Sequence, residues 1–575
     1  MAKIWVVDNE PSARYPIYTR GNVGEVFPEP VAPLSWTIAG IPGSEQGWRD
    51  AFERFGAFDR DEFEDDNLNL LGVFGGYCYL NVSISRIFAV RTPGLTPDLM
   101  DQTLFGSQEA PPYEPRPTDE SPKHTERIQQ TVGWVLTAHD LPELVEDQQL
   151  VQRWVDARPD FAKLSNEQLL AGVRDVLSDF RRLFAQHIFV SYCATVPVGM
   201  INQICAQALG DPTLAMRLVA GIGGVDSATP SWAMWELARM AQSSPPVAAE
   251  FDKGVDGLYG RLVAAGADET RAFVAAIKRF QEQYGSRGPN EWEMRSPTWG
   301  TDPDMALAAV DRMRLAPDDA DPQVHFEARA AEREGLTADI AGKLAGNPEV
   351  QGQFLAACHA AGVFLAGRER SKTTIIRLAH ESRLRMHELG RRMVEAGHFE
   401  DVEDFGMLTD EEWNDFLVAP ASFTAVIRDR TAQYEQLRQL EPPFVIAHTV
   451  PPIEQWPRRG STPVKVAGSG ETLGGIPGCP GSHTGRARVI LDPDEPGALQ
   501  PGDVLVAPIT DPAWTPLFVT AGAVVVNVGA QVSHAVIVSR ELGIPCVVSV
   551  TDATRRIPDG ATVTVDGTSG VVTVH

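Results

Sequence analysis

The sequence predicts a two-part chain: a large, mainly α-helical body with some β-structure at its N-terminal end, followed by a small α/β domain. Three observations carry this. From about residue 127 to 440 apolar side chains recur three and four positions apart; beyond 476 short β-branched runs alternate with glycine turns; and 441–475, between them, is crowded with proline and glycine. The 575 residues are too many for one hydrophobic core, and 43% hydrophobic with 22% charged residues is the balance of a globular protein.

Residues 1–100 alternate β-branched and aromatic runs with turn signals, as in Val6-Val7-Asp8-Asn9 and Gly75-Gly76-Tyr77-Cys78-Tyr79-Leu80-Asn81, so short strands and irregular structure are expected. The polar, proline-rich 101–126 reads as a surface loop. In the body, Leu169, Val173, Val176, Leu177, Phe180, Leu183, Phe184 and Ile188 predict a helix over 167–190, and 373–396 predicts a long helix stopped at Gly397. The acidic TDEEW at 409–413 predicts a capped start of another helix.

Prolines at 442, 443, 451, 452, 457 and 463, then Gly468, Gly470, Gly474 and Gly475, predict a semi-rigid linker. Strands are expected at 487–490, 504–507, 523–527, 546–550, 562–565 and 571–574. The expected division is 1–440 for the mostly helical body, 441–475 for the linker and 476–575 for a domain of a size that folds alone.

The formal charge of −27, from 77 acidic against 50 basic residues, opposes contact with nucleic acid or an anionic membrane. Six cysteines at 78, 193, 205, 358, 479 and 546 show no CxxC spacing, so no metal site or disulfide framework is expected. With no apolar leader in the first residues, the expected setting is the reducing cytoplasm.

Within 523–550, AVVVN predicts a strand, SHAVIVSREL a helix and CVVSV the next strand, which puts His534 in the first turn of a crossover helix. Ser533 is the expected N-cap, and Gly543 with Pro545 the stop. Free N–H groups and the positive end of a helix favour an anion beside the ring and disfavour the imidazolium form, as a phosphoryl carrier requires. A lone histidine tolerated at a helix start has the same local sequence. The stretch AGIGGVDSA at 220–228 lacks the Gly-Lys-Ser/Thr of a phosphate-binding loop and reads as a turn beside a helix.

GAQVSHAVIVSRELGIPCVVSV at 529–550, with GIPGCPGSHTGRARVI at 475–490 and PGDVLVAPITDPAWTPLF at 501–518, resembles the phosphohistidine swivelling domain of the phosphoenolpyruvate-utilising enzymes. The resemblance implies that His534 is phosphorylated and that Thr510, Asp511 and Trp514-Thr515-Pro516 form a loop near it. Ala530 and Gln531 depart from the family's pattern, and His483 falls in a variable turn.

The body resembles the acceptor-binding part of rifampin phosphotransferase and subunits of phenylphosphate synthase that lack an ATP-grasp domain. The matching stretches are NVGEVFPEPVAPLSW (22–36), GGYCYLNVS (75–83), YGSRGPNEWEMRSPTW (284–299), RERSKTTIIRLAHESRLRMHELGRRMVEAG (368–397) and DFGMLTDEEW (404–413). This implies a dikinase-type phosphotransferase, converting ATP to AMP and phosphate, with ATP and Mg2+ held by a separate ATP-grasp subunit, a covalent phosphohistidine, and a small aromatic hydroxyl as acceptor. Phosphoenolpyruvate as donor, or a non-catalytic binding module regulated by phosphorylation, are the alternatives. Arg287 is the candidate cation for the transferred group and Glu291 a proton acceptor, or each is half of a structural ion pair. His187 is a second candidate base or a core histidine; Lys372, Arg368 and Arg370 approach the phosphoryl group or form a solvated face; Tyr79 and Asn81 are candidate pocket residues.

Overall fold

The structure, a computed structural model, describes residues 4–106, 108–211, 213–223, 226, 229–318, 321–461, 463–493, 499–529 and 533–575, and of His325 and Pro512 only the backbone. Its contacts group into two compact units, one of Met1–Cys193, Asn290–Ser296 and Arg370–Pro463, the other of Ala194–Pro289, Pro297–Glu369 and Val464–His575.

The first unit holds strands β1 (Ile17–Thr19), β2 (Leu71–Phe74), β3 (Tyr77–Asn81) and β4 (Val445–Ala447), antiparallel in the order β2-β3-β1-β4. Gly75 and Gly76, at φ 57° and 82°, close the β2–β3 hairpin, whose tight turn needs two left-handed residues. Val6-Val7 lies in a turn and not in a strand, because Asp8 folds back to accept the Trp5 and Gly76 N–H groups. Tyr79 and Asn81, expected to line a pocket, are buried and serve the sheet. The Tyr79 hydroxyl donates to the Pro443 carbonyl at 2.8 Å, and burial pushes its pKa above the usual phenol range. Asn81 caps the helix Val82–Arg91 through the Ile84 N–H and donates to the Tyr15 carbonyl at 2.8 Å.

Helices Pro97–Phe105 and Pro122–Thr137 narrow the loop expected over 101–126 at both ends. Thr96 and Ser121 cap them and each is followed by proline at the first helical position, where a missing N–H costs nothing. The helix expected over 167–190 is two, Asn166–Leu177 and Phe180–Leu209, and the long helix runs over Pro348–Glu395, starting well before 373. Thr409 and Glu412 form the expected capping box. The stretches Asn166–Leu209 and Pro348–Glu395 are long and apolar enough to cross a membrane. Among their apolar positions Val173, Val176, Phe354, Ala357, Ala360 and Phe364 are buried within the protein.

In the second unit, helices Thr229–Ser243, Asp268–Tyr284 and Pro303–Arg314 close around Trp235, Phe251, Phe273, Phe280, Trp299 and Leu307. Strands β5 (Thr472–Gly474), β6 (Ile476–Cys479), β7 (Ser482–Val489), β8 (Val504–Ala507), β9 (Ala523–Val526), β10 (Cys546–Val548), β11 (Thr562–Asp566) and β12 (Val571–Val574) form one sheet in the order β5-β12-β11-β7-β8-β9-β10-β6. The run β7-β8-β9-β10 is parallel and the remaining pairs are antiparallel. Side chains alternate between its faces: Leu505, Val524 and Val548 pack with the helix His534–Leu542, while Val504, Val525 and Val547 pack on the other side.

The expected linker is built in at both ends. Glu441 and Arg459 N–H groups bond to the Pro457 and Gln439 carbonyls, and β4 joins the first sheet. Ala467 and Gly470 bond to Arg556 and Val574, and β5 and β6 join the second sheet.

Candidate functional site

His534 is the first residue of the helix His534–Leu542 that follows β9. The helix is amphipathic by sequence: Ala535, Val536, Val538 and Leu542 are buried against the sheet. It ends at Gly543, φ 69°, whose N–H bonds to the Ser539 carbonyl. Ser533 occupies the N-cap position with extended backbone, but its hydroxyl makes no cap bond. The cap expected from the sequence is therefore positional only, and the first-turn N–H groups are not taken by that side chain. Ala530 and Gln531 lie outside the described residues.

The imidazole is half-buried, and each nitrogen meets a threonine: Nδ1 is 3.2 Å from the Thr510 Oγ1 and Nε2 is 3.2 Å from the Thr515 Oγ1. Phe518 meets the ring edge-on, with centroids 5.9 Å apart. The threonines are held in turn: Asp511 accepts the Ala513 N–H, the Trp514 N–H bonds to the Asp511 carbonyl, and the Trp514 ring is buried in the domain core. A neutral imidazole donates from one nitrogen and accepts at the other, so whichever threonine receives the N–H fixes the tautomer and leaves the opposite nitrogen nucleophilic. Thr510→Val and Thr515→Val are expected to shift the tautomer ratio about fivefold in opposite directions, the effect of one hydrogen bond of about 1 kcal/mol, read from ring 15N shifts. Shifts in the same direction would mean that the hydroxyls do not set the tautomer.

In the first unit the structure gathers three of the sequence-predicted residues. Lys372 Nζ lies 3.0 Å from Glu291 Oε1, with the carboxylate buried and the ammonium partly exposed. His187 Nδ1 is 3.0 Å from Ser371 Oγ, and Trp292 and Phe184 lie beside its ring with centroids 6.1 and 6.5 Å away. Arg383 fixes the loop carrying Glu291 and Trp292 by donating to the Glu291, Glu293 and Met294 carbonyls at 2.8, 3.0 and 3.1 Å. The result is a cation, a carboxylate and an imidazole beside two aromatic rings. Ser371, Trp292 and Arg383 carried no sequence signal of their own, although Ser371 adjoins Lys372 and Trp292 adjoins Glu291.

Arg287 and Arg368 belong to the other unit. Arg287 is buried in the turn after the helix Asp268–Tyr284, its N–H bonded to Tyr284 and its carbonyl to Trp299. Arg368 pairs with Glu369. The described part of the glycine-rich turn at 220–228 does not fit a phosphate cradle, because its Gly221 carbonyl accepts from Arg333 and its Ile222 N–H is taken by the Glu541 carboxylate. Asp59, Glu62 and His124 bring three ligand-type atoms within 4.8 Å of one another, yet the two carboxylates already pair with Lys123, Arg127 and Arg91. That charge balance describes an ion-pair network, and a divalent cation would have to displace it.

Two family models match the chain. Residues 186–369 match the rifampicin phosphotransferase fourth domain, and 499–570, which hold His534 and both threonines, match the mobile domain of PEP-utilising enzymes. An uncharacterised protein of Mycobacterium tuberculosis is 25% identical over 608 aligned positions, taking in 98% of this chain and 62% of the relative. A rifampicin phosphotransferase of Streptomyces sviceus is 29% identical over 390 positions, 65% of this chain and 42% of the relative. The prodigiosin synthesizing transferase PigC of Serratia marcescens is 32% identical over 318 positions, 53% of this chain and 34% of the relative. The chain thus spans less than two thirds of the length of each of these relatives. The two models lie in chain order, and with relatives of these kinds the chain is similar to rifampicin phosphotransferase-like proteins of the PEP-utilising enzyme family.

Proposed function

We propose that the chain is a phosphotransferase component in which His534 takes up a phosphoryl group and hands it to the hydroxyl of an apolar acceptor, a phenol. In this reading a separate ATP-grasp subunit holds ATP and Mg2+, which supply the phosphoryl group when bound there. The observation that carries it is the placement of His534 at a helix start inside the mobile-domain match, with a hydroxyl at each ring nitrogen. A helix start favours the neutral ring and offers N–H donors to a bound phosphate.

The acceptor side is assigned to the group around Lys372. Phe184 and Trp292 suit an aromatic acceptor, Lys372 offsets charge on the transferring group, and Glu291 or His187 takes the hydroxyl proton. In the transfer the N–P bond breaks as the O–P bond forms, the acceptor proton leaves to the base, and the ring, which keeps the proton on its other nitrogen while phosphorylated, departs as neutral imidazole. A phenol, with a pKa of about 10, needs only modest base assistance.

The test charges the full chain with phosphoramidate, which phosphorylates histidine without a partner protein, then adds phenol and follows the product by phosphorus NMR. Acid-labile, base-stable phosphate on the His534 peptide, and phenyl phosphate formed faster than inorganic phosphate, are expected. Phosphate never found on His534 would end the reading, and charging by phosphoenolpyruvate alone would replace the ATP-dependent donor. Lys372→Met is expected to leave charging unchanged and slow transfer to phenol by about 10²- to 10³-fold, as for loss of one preorganised electrostatic contact.

A further inference from the structure

The helix that presents His534 is held at its other end. Arg540 and Glu541 in its last turn are 5% and 4% exposed, unusual burial for two charges side by side. Arg540 donates to the Gly478 carbonyl within its own domain at 3.2 Å, and reaches the Met216 sulfur at 3.5 Å. Glu541 accepts the Ile222 N–H. The Arg329 side chain lies against the Cα of Gly543 so closely that a Cβ there would come within 2.4 Å of its Nε. Arg329 pairs with Glu332 at 2.5 Å, and Arg333 binds the Gly221 carbonyl. The helix Pro322–Lys343 that carries Arg329 and Arg333 thus packs along the histidine helix, while the helix Thr515–Thr520 packs on Pro303–Arg314 through Val519. Both helices that flank His534 are the ones by which residues 499–570 rest on the helical part of the same unit.

We propose that Met216, the glycine-rich turn at Gly221 and Ile222, Arg329 and Arg333 form the resting dock of the carrier domain, and that Glu541 is its latch, gripping when protonated and loosening when ionised. The inference rests on the reading of 499–570 as a phosphoryl carrier. It gives the glycine-rich turn a role that a phosphate loop does not: the turn presents backbone groups to the carrier's helix.

The sign follows from what faces Glu541. Burial raises its pKa to about 7, against the opposing influence of the Ile222 N–H, Arg333 from the helix Pro322–Lys343 and Arg540 from its own helix; Glu369 from the helix Pro348–Glu395 raises it further. Arg368 and Arg329 add positive charge near Arg540 and Cys479. On release the carboxyl meets water and returns toward its ordinary value, near 4.5. The docked form therefore binds a proton that the released form gives up. Docking is strongest below about 4.5, weakens by up to about tenfold per pH unit as the pH rises toward 7, and is level above that.

Oxidation of Met216 by dilute hydrogen peroxide, followed residue by residue by mass spectrometry on the full chain from pH 5.5 to 8, reads the released population. The expected result is a Met216 rate that climbs severalfold up to about pH 7 and then levels, while buried Met234 stays slow as the folding control. Glu541→Gln, permanently neutral, is expected to abolish the climb. Arg333→Met, which removes a cation favouring the ionised carboxylate, is expected to move the climb to higher pH, and serves if Glu541→Gln fails to fold. A flat Met216 profile in the parent chain, or an unchanged climb in either folded variant, overturns the latch. Phosphate content of His534 after phosphoramidate treatment separates the two ideas. A climbing Met216 rate with His534 never charged supports the dock and removes the carrier; a charged His534 with a flat Met216 rate removes the dock.

Discussion

His534→Ala is expected to abolish acid-labile phosphate on the chain and to lower transfer to the acceptor by at least about 10³-fold, because it removes the imidazole at which the two threonines and the helix start converge. Stability is expected to change by no more than about 1 kcal/mol, since the ring is half-buried at a helix end and its loss opens no cavity in the sheet-facing core. Labelling of the full chain, alongside denaturant unfolding of parent and variant, checks both halves. Product formation at the parental rate by a folded His534→Ala chain would remove the phosphohistidine from the reaction. His534→Gln keeps a polar side chain at the helix start and is expected to be equally inactive, which separates the chemistry of the imidazole from its bulk.

Arg383→Met is expected to produce the second large effect, a loss of about 3–5 kcal/mol of stability. Its guanidinium is completely buried, and burial lowers its pKa to about 10, so it stays charged at neutral pH. Its bonds go to three carbonyls of one short loop, Glu291, Glu293 and Met294. Methionine fills much of the volume but donates nothing to those carbonyls, which belong to buried residues. Arg383→Lys keeps the charge without the planar fork and is expected to lose about 2 kcal/mol. Denaturant midpoints for the three chains rank the effect. Equal midpoints for parent and methionine variant would show that the loop does not depend on this side chain. Because the same loop carries Glu291 and Trp292, the methionine variant is also expected to slow transfer to phenol while leaving the charging of His534 untouched.

What the sequence made legible is what is local. The junction at His534 could be read because a β-branched strand, a helix and the Gly543 and Pro545 stop follow one another within a few residues, each with its own signal. The parallel strands β8 and β9 could be read for the same reason. Strands β5 and β6 could not: TLG and IPGC hold proline and glycine where a strand signal needs β-branched residues, and only pairing with β12 and β10 makes them strands. Proline misled in the opposite direction at Pro122, which starts a helix and does not interrupt one. The meeting of Lys372 with Glu291, and of His187 with Ser371, joins residues distant in the chain, and no spacing rule encodes such pairs. Tyr79 and Asn81 misled because a buried tyrosine with a satisfied hydroxyl has the same sequence as one that lines a cleft.

The anchoring of both ends of the proline- and glycine-rich stretch has a mechanical corollary. The Ser461 N–H is bonded back to the Arg458 carbonyl and the Ala467 N–H to the Arg556 carbonyl, and each bond lies within its own unit. Richness in proline and glycine is thus no measure of looseness: ordinary backbone bonds stitch such a stretch down at its edges, and its composition says only which residues cannot join a ladder.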